Sequence, residues 1–361
     1  MAALRLAIIG YGAAGRGIHA RLAREAGFSV PVVVVRNPNR RQLAASDWPG
    51  ARFVNSVSEL VALKNLFDVA VIASPTSNHA ENAATLARAG IPFVIDKPMG
   101  IDAFEARAVI SEADATGTPF TVFHNRRWDS EQQGLIKVLR EKQLGDIHTF
   151  ERRWERYSAT QKHQWREDDV IGGGVLLDLQ VHLVDAAVQL FGPVESVYAT
   201  IRSISSKADD DTLLVLEHAP GGGVAKSKLP VISRLTASTV VGAPGPRSRV
   251  LGTKGAYVTT SVPNDPSAFA VNSGKAHAEK DLGWIIRGPE KTEIKLPVNR
   301  EVDFYHALPG WLSGEGEAPV NPADALQTQI VLDAARVSAR ENRVVNLKEF
   351  TKPTPKLKAL K

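Results

Sequence analysis

The stretch LAIIGYGAAGRG, residues 6–17, decides the fold of the N-terminal part of the chain. An apolar run predicts a strand, a G-x-G-x-x-G pattern follows, and a helical pattern begins within it. The three glycines are Gly10, Gly12 and Gly15, and Ala13 and Ala14 lie between the last two. In this context the glycines permit a tight turn and the close approach of a pyrophosphate, whose charge the helix N-terminus attracts. We therefore predict a dinucleotide-binding loop; the alternative is a purely structural turn.

Three more apolar runs follow, at residues 30–35, 67–74 and 91–96, with helical patterns between them. Nearly continuous apolar strands that alternate with helices are typical of a parallel sheet covered on both faces. We expect an α/β doubly wound Rossmann domain over residues 1–123.

Further along the chain, apolar and polar residues alternate within the predicted strands. VESVYATIRS, residues 194–203, is one such strand, and TLLVLEHAPGGGVAKSKL, residues 212–229, predicts a hairpin around APGGG. We expect an α+β domain with a large, mostly antiparallel open sheet over residues 124–350. A basic tail would follow at 351–361.

The composition is that of an ordinary globular protein, since 43% of the 361 residues are hydrophobic and 23% are charged. The chain has no cysteine, which excludes disulfides, a thiol nucleophile and cysteine-ligated metals. Much of the net charge of +5 lies in the tail, and no basic stripe with interleaved aromatic residues predicts nucleic-acid binding. Without a recognisable signal peptide or membrane-spanning run, we expect a cytoplasmic protein. The acidic run in KADDDTLL has no neighbouring ligands, so we expect no metal site.

The end of the second predicted strand bears on the choice of cofactor. An NAD-binding domain usually places an acidic residue there to hold the ribose hydroxyls. This chain instead has a basic segment, with Arg36, Asn37, Arg40 and Arg41. Because a guanidinium binds a 2′-phosphate through charge-assisted hydrogen bonds, NADP(H) is favoured over NAD(H), which stays possible. The alternative is that these arginines are surface residues.

PFVIDKPMG ends the fourth apolar run with Asp96, Lys97 and Pro98. In an open α/β sheet the carboxyl ends of the strands face the ligand crevice, so Lys97 is expected to project towards the reacting groups. A strand-end lysine taken alone is more often a surface residue.

GGGVLLDLQVHLVDAAVQLFG, residues 172–192, predicts a helix that is apolar nearly all round. The exception is a line spaced by four, three and four residues, which places its members on one helical face: Asp178, His182, Asp185 and Gln189. Such a line either faces solvent or lines a cleft. The short side chains at its start favour a cleft, since solvent-exposed stripes usually carry longer Lys, Glu or Arg.

These motifs occur in the order that resembles the Gfo/Idh/MocA family of sugar and polyol oxidoreductases, and the likeness covers nearly the whole chain. Its marks are the glycine fingerprint, an E-K-P tripeptide and a G-G-G…D-x-x-x-H helix. They correspond here to Gly10–Gly15, to Asp96-Lys97-Pro98 and to Gly172–His182. FHNRRWDSE and QWRED resemble the branch that contains NADP-dependent scyllo-inositol dehydrogenases. The chain departs from the pattern in Asp96, which replaces the usual Glu, and in Gln180, which stands where Gly is common.

The resemblance implies hydride transfer between NADP(H) and a polyol, with His182 as acid/base, Asp178 beside it and Lys97 at the reacting oxygen. It implies cofactor contacts at the loop and strand-end residues Ser74, Thr76, Asn78, His79, Asp96, Lys97 and Pro98, and at Trp165 and Arg166. Hydroxyl-binding candidates are Asn125, Arg127 and Tyr157.

The substrate and the catalytic activity each have an alternative interpretation. The substrate is expected to be scyllo-inositol and its inosose, but myo-inositol, an aldose or an anhydro-ketose is the alternative. A catalytically silent dinucleotide-binding sensor is a second reading, although it has no need for Lys97, Asp178 and His182 together. The family resemblance also implies that the domain over residues 124–350 binds substrate and supports oligomerisation, as a homodimer or homotetramer.

Overall fold

The structure is a computed structural model that describes residues 3–157, 165–259 and 282–350. Packing divides these residues into two compact units. The first unit holds the described parts of Met1–Asn125 and Glu301–Leu326, and the second holds those of Arg126–Arg300 and Gln327–Thr354. The basic tail expected at 351–361 lies outside the described residues.

Fifteen strands lie within the described residues and form two sheets. They are β1 (Arg5–Ile9), β2 (Ser29–Val34), β3 (Arg52–Val54), β4 (Val69–Ile72), β5 (Phe93–Asp96), β6 (Phe120–Phe123), β7 (Ile147–Glu155), β8 (Val194–Arg202), β9 (Asp211–His218), β10 (Val231–Ser238), β11 (Ser248–Gly252), β12 (Gly255–Thr259), β13 (Leu282–Arg287), β14 (Glu290–Lys295) and β15 (Val345–Asn346).

The same part of the chain contains ten α-helices. They are α1 (Arg21–Glu25), α2 (Pro38–Asp47), α3 (Val57–Val61), α4 (His79–Arg88), α5 (Ala103–Thr116), α6 (Ser130–Arg140), α7 (Trp165–Asp168), α8 (Val181–Phe191), α9 (Asp303–Leu312) and α10 (Pro322–Glu341). Two π-helical segments lead directly into α1 and α8; they are Gly15–Ala20 and Leu176–Gln180. Within the described residues, no helix has the length and apolar character needed to cross a bilayer.

The first unit is built on a six-stranded sheet in the order β3-β2-β1-β4-β5-β6, and all neighbouring strands are parallel. Strand β4 is buried along its whole length, as expected for a strand covered on both faces. This confirms the expected Rossmann domain. Two strands of this sheet were not predicted from the sequence: β6, and β3, whose three residues are partly or fully exposed and offer almost no apolar run.

The second unit is built on a nine-stranded sheet in the order β14-β13-β12-β11-β7-β10-β9-β8-β15. Only the pair β7 and β10 is parallel, and the other neighbours are antiparallel, which confirms the expected mostly antiparallel sheet. Residues alternate between buried and partly exposed along β9, because one face of the sheet packs on the core.

The hairpin expected within residues 212–229 returns later than the sequence indicates. Strand β9 does pair with its antiparallel successor, but β10 begins only at Val231. The amides of Val224 and Ala225 instead donate to the carbonyl groups of Gln189 and Leu190 at the end of α8. Those bonds fasten the glycine-rich turn to the helix, so its backbone cannot continue as a strand.

Residues 301–326 pack with the first unit, whereas the sequence analysis assigned all of 124–350 to the second domain. The hydroxyl of Thr121 in β6 donates to the carbonyl O of Val320 over 2.8 Å. The ring of Phe304 in α9 meets Phe123 edge to face at 4.8 Å between centroids. These buried contacts lie far apart in sequence, which is why composition and periodicity alone do not reveal them.

Candidate active site

The glycine loop after β1 has the geometry that the sequence predicts. Gly10 has a φ of +93°, and a Cβ there would lie 2.7 Å from the carbonyl O of Ala73. A Cβ on Gly15 would overlap the carbonyl O of Gly10. A Cβ on Gly12, by contrast, would meet only the guanidinium of Arg40, at 3.5 Å from Nη1. The first and third glycines therefore make the turn possible, and the backbone at the middle one is open to a ligand.

The basic segment after β2 separates into two kinds of residue. Asn37 caps α2, because its Oδ1 accepts the backbone N–H of Arg40 at 3.1 Å. Arg41 donates to the carbonyl O of Val35 and to Oδ1 of Asn55, over 3.1 and 2.7 Å. Among the described residues, no side chain pairs with the guanidinium of Arg36 or with that of Arg40. These last two are therefore the arginines available to an anionic group.

A groove of about 660 Å³ runs beside the glycine loop, between the helix that starts at Gly15 and α2. Asp47 lies at its edge and accepts hydrogen bonds from Tyr11 Oη at 2.9 Å and from Arg16 Nε at 2.7 Å. The bond from Arg16 is the main reason that the pKa of Asp47 is lowered. Burial, helped by Asp47, raises the pKa of Tyr11 to about 12. Arg16 is thus neutralised by Asp47, while Arg40, which also lines the groove, pairs with no side chain in the described part of the chain.

The segment after β4 contains four of the predicted cofactor contacts. Ser74 and Asn78 are half-buried, and Thr76 is buried. His79 is also buried, and its ring nitrogens lie 2.8 Å from the carbonyl O of Pro98 and 2.9 Å from that of Ser74. Burial lowers the pKa of His79. His79 thus joins the loops after β4 and β5, and its ring nitrogens are engaged by the protein itself.

At the end of β5, Asp96 and Lys97 are half-buried and Pro98 is buried. Asp96 Oδ1 accepts the backbone N–H of Lys97 at 2.8 Å, and Oδ2 lies 3.6 Å from Nε2 of His19. Burial alone would raise the pKa of Asp96, but His19, Lys97 and His79 together lower it. The Asp96 carboxylate is therefore ionised, and it is bonded to the backbone amide of Lys97.

In the second unit, Asp209, which lies just before β9, fixes the start of the helix that carries the predicted polar line. Oδ2 of Asp209 accepts the amide of Leu176 at 2.7 Å, and its carbonyl O accepts that of Val175 at 2.8 Å. Gly174 has a φ of +80°, and a Cβ there would overlap the carboxylate of Asp209. Burial raises the pKa of Asp209. Gly174 and Asp209 therefore act together to start this helix, whereas Asp210 accepts the amides of residues 204–206 and Asp211 pairs with Arg202.

The polar line of this helix is enclosed rather than presented to solvent. His182 and Asp185 are 7% and 3% exposed, and Asp178 is half-buried. Asp185 accepts a bidentate hydrogen bond from Arg127, with Nη2 and Oδ1 2.7 Å apart. The imidazole of His182 stacks on the indole of Trp154, with centroids 5.8 Å apart. The solvent-stripe alternative is therefore wrong.

The structure also places the remaining candidates. Asn125 donates to Oε1 of Glu301, and Arg127 is engaged with Asp185, so both have protein partners. Tyr157 is 57% exposed at the end of a described segment. Gln180 donates to the carbonyl O of Leu235 over 3.0 Å and is a packing residue. Trp165 and Arg166 lie in α7, but their side chains fall outside the described residues.

Sequence reasoning missed three side chains that surround these candidates. Trp154 contacts His182, and His19 and Tyr305 lie beside Asp96 with their rings fully buried. His19 follows the glycine loop by four residues, and that short distance is the one signal that could have drawn attention to it. Nothing local distinguishes Trp154 or Tyr305 from ordinary core residues.

Comparisons with known proteins cover both units. A family model described as oxidoreductase family, NAD-binding Rossmann fold, matches residues 4–124, and one described as oxidoreductase family, C-terminal alpha/beta domain, matches residues 136–347. The chain is 29% identical over 356 residues to the uncharacterized oxidoreductase YdgJ of Escherichia coli, covering 95% of this chain and 99% of that protein. It is 26% identical over 359 residues to the scyllo-inositol 2-dehydrogenase (NADP(+)) IolW of Bacillus subtilis, covering 95% and 96%.

A solved structure agrees with the fold. The NAD-binding protein from Listeria innocua aligns with a TM-score of 0.79 at 23% identity, covering 96% of this chain and 97% of that one. The two family models together span the glycine loop, the Lys97 strand end and the Asp178–His182 helix. The chain is an oxidoreductase that belongs to the Gfo/Idh/MocA family.

Proposed function

We propose that the chain transfers a hydride between NADP(H) and a secondary alcohol or ketone of a cyclic polyol or sugar, with scyllo-inositol and its inosose as the preferred pair. The observation that carries the proposal is the enclosed position of His182, one helical turn after the half-buried Asp178. A histidine can take up and return a proton near neutral pH, as alcohol oxidation and ketone reduction require. The name of IolW, which this chain resembles, supports both the substrate and the cofactor.

The first unit fits a dinucleotide, because among the described residues only the Arg40 guanidinium approaches the space above Gly12. The loop from Gly10 to Gly15 would hold the pyrophosphate, and Ser74, Thr76 and Asn78 would meet the nicotinamide ribose. Arg36 and Arg40 would bind a 2′-phosphate, which supports NADP(H), with NAD(H) as the alternative. When bound, the nicotinamide supplies the carbon that accepts or gives the hydride.

The proton chemistry belongs to residues of the chain. During oxidation the imidazole of His182 would remove the hydroxyl proton, and during reduction it would return it. Asp178 would accept a hydrogen bond from the substrate or orient the imidazole. The ammonium group of Lys97 would hold the reacting oxygen and stabilise its developing negative charge.

We further propose that the protein forms a homodimer or homotetramer through the open face of the second sheet. The strand residues on that face are only partly buried and include several apolar side chains; among them are Leu213, Val215, Ile232, Leu251 and Val258. A face of this kind on a large sheet is typical of a surface that a second copy covers.

The experiment that tests the function is nicotinamide absorbance with scyllo-inositol, myo-inositol and a panel of cyclic sugars, using NADP⁺ and NAD⁺ in parallel. We expect turnover with an inositol and NADP⁺. Turnover confined to another sugar would change the substrate and leave the reaction class intact. Tight NADPH binding without turnover on any substrate in the panel would favour the silent sensor and contradict the proposal.

A further inference from the structure

Three polar side chains meet inside the first unit, and two of them are fully buried. His19 and Tyr305 are both 0% exposed, and Asp96 belongs to the strand end that carries Lys97. His19 lies in the π-helical segment Gly15–Ala20, and Tyr305 lies in α9. Single-turn π segments often occur at functional sites, where they re-aim a side chain.

The distances connect these groups in a row. Tyr305 Oη lies 2.6 Å from Nδ1 of His19, and Nε2 of His19 lies 3.6 Å from Oδ2 of Asp96. The other carboxylate oxygen, Oδ1, accepts the backbone N–H of Lys97. The three groups therefore form a row from α9 through the glycine-loop helix to the lysine, in which the His19–Asp96 step is a charge contact longer than a hydrogen bond.

The chemistry of the three groups assigns the protons in this row. An ionised carboxylate can only accept, and the pKa of Asp96 is lowered in spite of its burial. A proton on Nε2 of His19 would face that carboxylate across 3.6 Å, as a charge contact longer than a hydrogen bond, and Nδ1 would then be the acceptor of the ring. Tyr305 keeps its proton, because burial and the charges of Asp96 and Glu301 raise its pKa well above the usual value. The hydroxyl of Tyr305 therefore donates to Nδ1.

Aromatic rings surround the imidazole of His19 and restrict its orientation. The ring of Phe123 lies 4.5 Å from that of His19, and the ring of Tyr305 lies 6.3 Å away. In such an apolar enclosure a polar ring costs free energy unless its nitrogens find partners. The only polar partners that the described residues place against His19 are Tyr305 and Asp96.

We propose that His19 and Tyr305 are positioning residues, which hold the Asp96 carboxylate and, through it, the peptide of Lys97. The inference rests on the proposed function only in the role it gives to Lys97. Tyr305 donates to His19. Nε2 of His19 faces Oδ2 of Asp96 as a charge contact at 3.6 Å, and Oδ1 of Asp96 accepts the Lys97 amide. The ammonium group is thereby presented from a fixed backbone rather than from a loose strand end.

The test uses Tyr305→Phe, which removes one oxygen and keeps the ring packing. We expect kcat to fall by about tenfold, while the Kd for NADPH stays within about twofold, since the change reaches the site through Asp96 alone. Tyr198→Phe is the matched control, because its hydroxyl bonds to Asn342 in the second unit and has no link to the row. An unchanged kcat in Tyr305→Phe would overturn the proposal.

A second readout does not depend on turnover. The ¹H–¹⁵N spectrum of the full chain with labelled histidines reports the protonation of each of the nine rings. The His19 signal is the one that changes in Tyr305→Phe and not in Tyr198→Phe, and we expect it to show the Nε2–H tautomer in the wild type. The backbone amide of Lys97 is expected to shift in Tyr305→Phe as well.

The two readouts keep this inference separate from the proposed function. The expected tautomer and amide shift without turnover on any polyol would support the positioning row and contradict the proposed reaction. A proton on Nδ1 of His19, or an unmoved Lys97 amide, would overturn the positioning row whatever the enzyme turns over.

Discussion

The imidazole of His182 stacks on the indole of Trp154, with ring centroids 5.8 Å apart and an angle of 27° between the planes. The guanidinium of Arg247 lies over the same indole at 4.5 Å, and its Nε is 3.2 Å from Oε2 of the buried Glu131. The proposed acid/base is therefore held by a packed stack that ends in a buried ion pair. Such a support fixes the orientation of a catalytic ring better than a loop does.

His182→Ala is expected to lower kcat by about 10²- to 10⁴-fold, because it removes the group that exchanges the substrate proton. NADPH binding, measured by fluorescence titration, is expected to stay close to that of the wild type. His148→Ala is the matched control, since His148 is exposed on β7. A His182→Ala enzyme with wild-type turnover would show that another residue is the acid/base.

Gly15→Ala is expected to abolish tight NADPH binding. The new Cβ would overlap the carbonyl O of Gly10, so the loop must open. Gly17→Ala, two residues later, provides the control, because a Cβ there meets nothing within 4 Å. The control is expected to bind normally and to gain up to about 1 kcal/mol in helix stability. Equal binding by the two variants would mean that this loop does not hold the cofactor.

Arg40→Ser is expected to weaken NADPH binding by about tenfold or more and to leave NADH binding nearly unchanged. The reason is the loss of a charge-assisted contact to the 2′-phosphate, which NADH lacks. Arg52→Ser removes the same charge from an exposed residue of β3 and is expected to affect neither cofactor. A parallel loss of NADPH and NADH affinity in Arg40→Ser would assign Arg40 to the shared part of the dinucleotide instead.

The buried His218 predicts a pH dependence of stability. Its Nδ1 donates to the carbonyl O of Gly192 at 2.8 Å, its Nε2 lies 2.9 Å from Oγ of Ser233, and burial lowers its pKa from 6.5 to about 4. Between pH 6.5 and about pH 4, His218 therefore binds a proton in the unfolded chain but not in the folded chain. Its stabilising contribution is complete above pH 6.5 and falls by about 1.4 kcal/mol for each pH unit below it.

The matching measurement compares the Tm of the wild type with that of His218→Asn, whose amide can still donate to Gly192. The wild type is expected to lose Tm relative to the variant as the pH falls from about 7 to about 5. Parallel Tm curves over that range would show that His218 is not the titrating group.

Local patterns were sufficient to predict four of the six strands of the Rossmann sheet and the glycine loop, because strand, turn and helix follow one another within residues 5–25. The predicted line on the Asp178–His182 helix also corresponds to a real structural feature, since spacing alone places residues on one helical face. Asp185, the third residue of this line, however, belongs to a buried ion pair. Asp185 has its partner Arg127 58 residues earlier in the chain, and no local signal announces such a contact.

The same limit explains the other differences. Asn37 and Arg41 stand beside Arg36 and Arg40 in sequence, but a helix cap and a bond to Asn55 occupy them. His79 lies among the predicted cofactor contacts, and yet both of its ring nitrogens face carbonyl groups of the protein. Residue type and position indicate where a site lies, whereas three-dimensional packing decides which side chains are already engaged.

The most direct test of the proposed reaction follows the transferred hydride itself. The purified protein is incubated with NADP⁺ and scyllo-inositol that carries deuterium on its ring carbons, and the reduced cofactor is analysed by mass spectrometry. Direct hydride transfer predicts NADPH that is heavier by one deuterium, formed by the wild type and nearly absent with His182→Ala. Wild-type protein that binds NADPH but yields no labelled cofactor from this or any other deuterated polyol would contradict it.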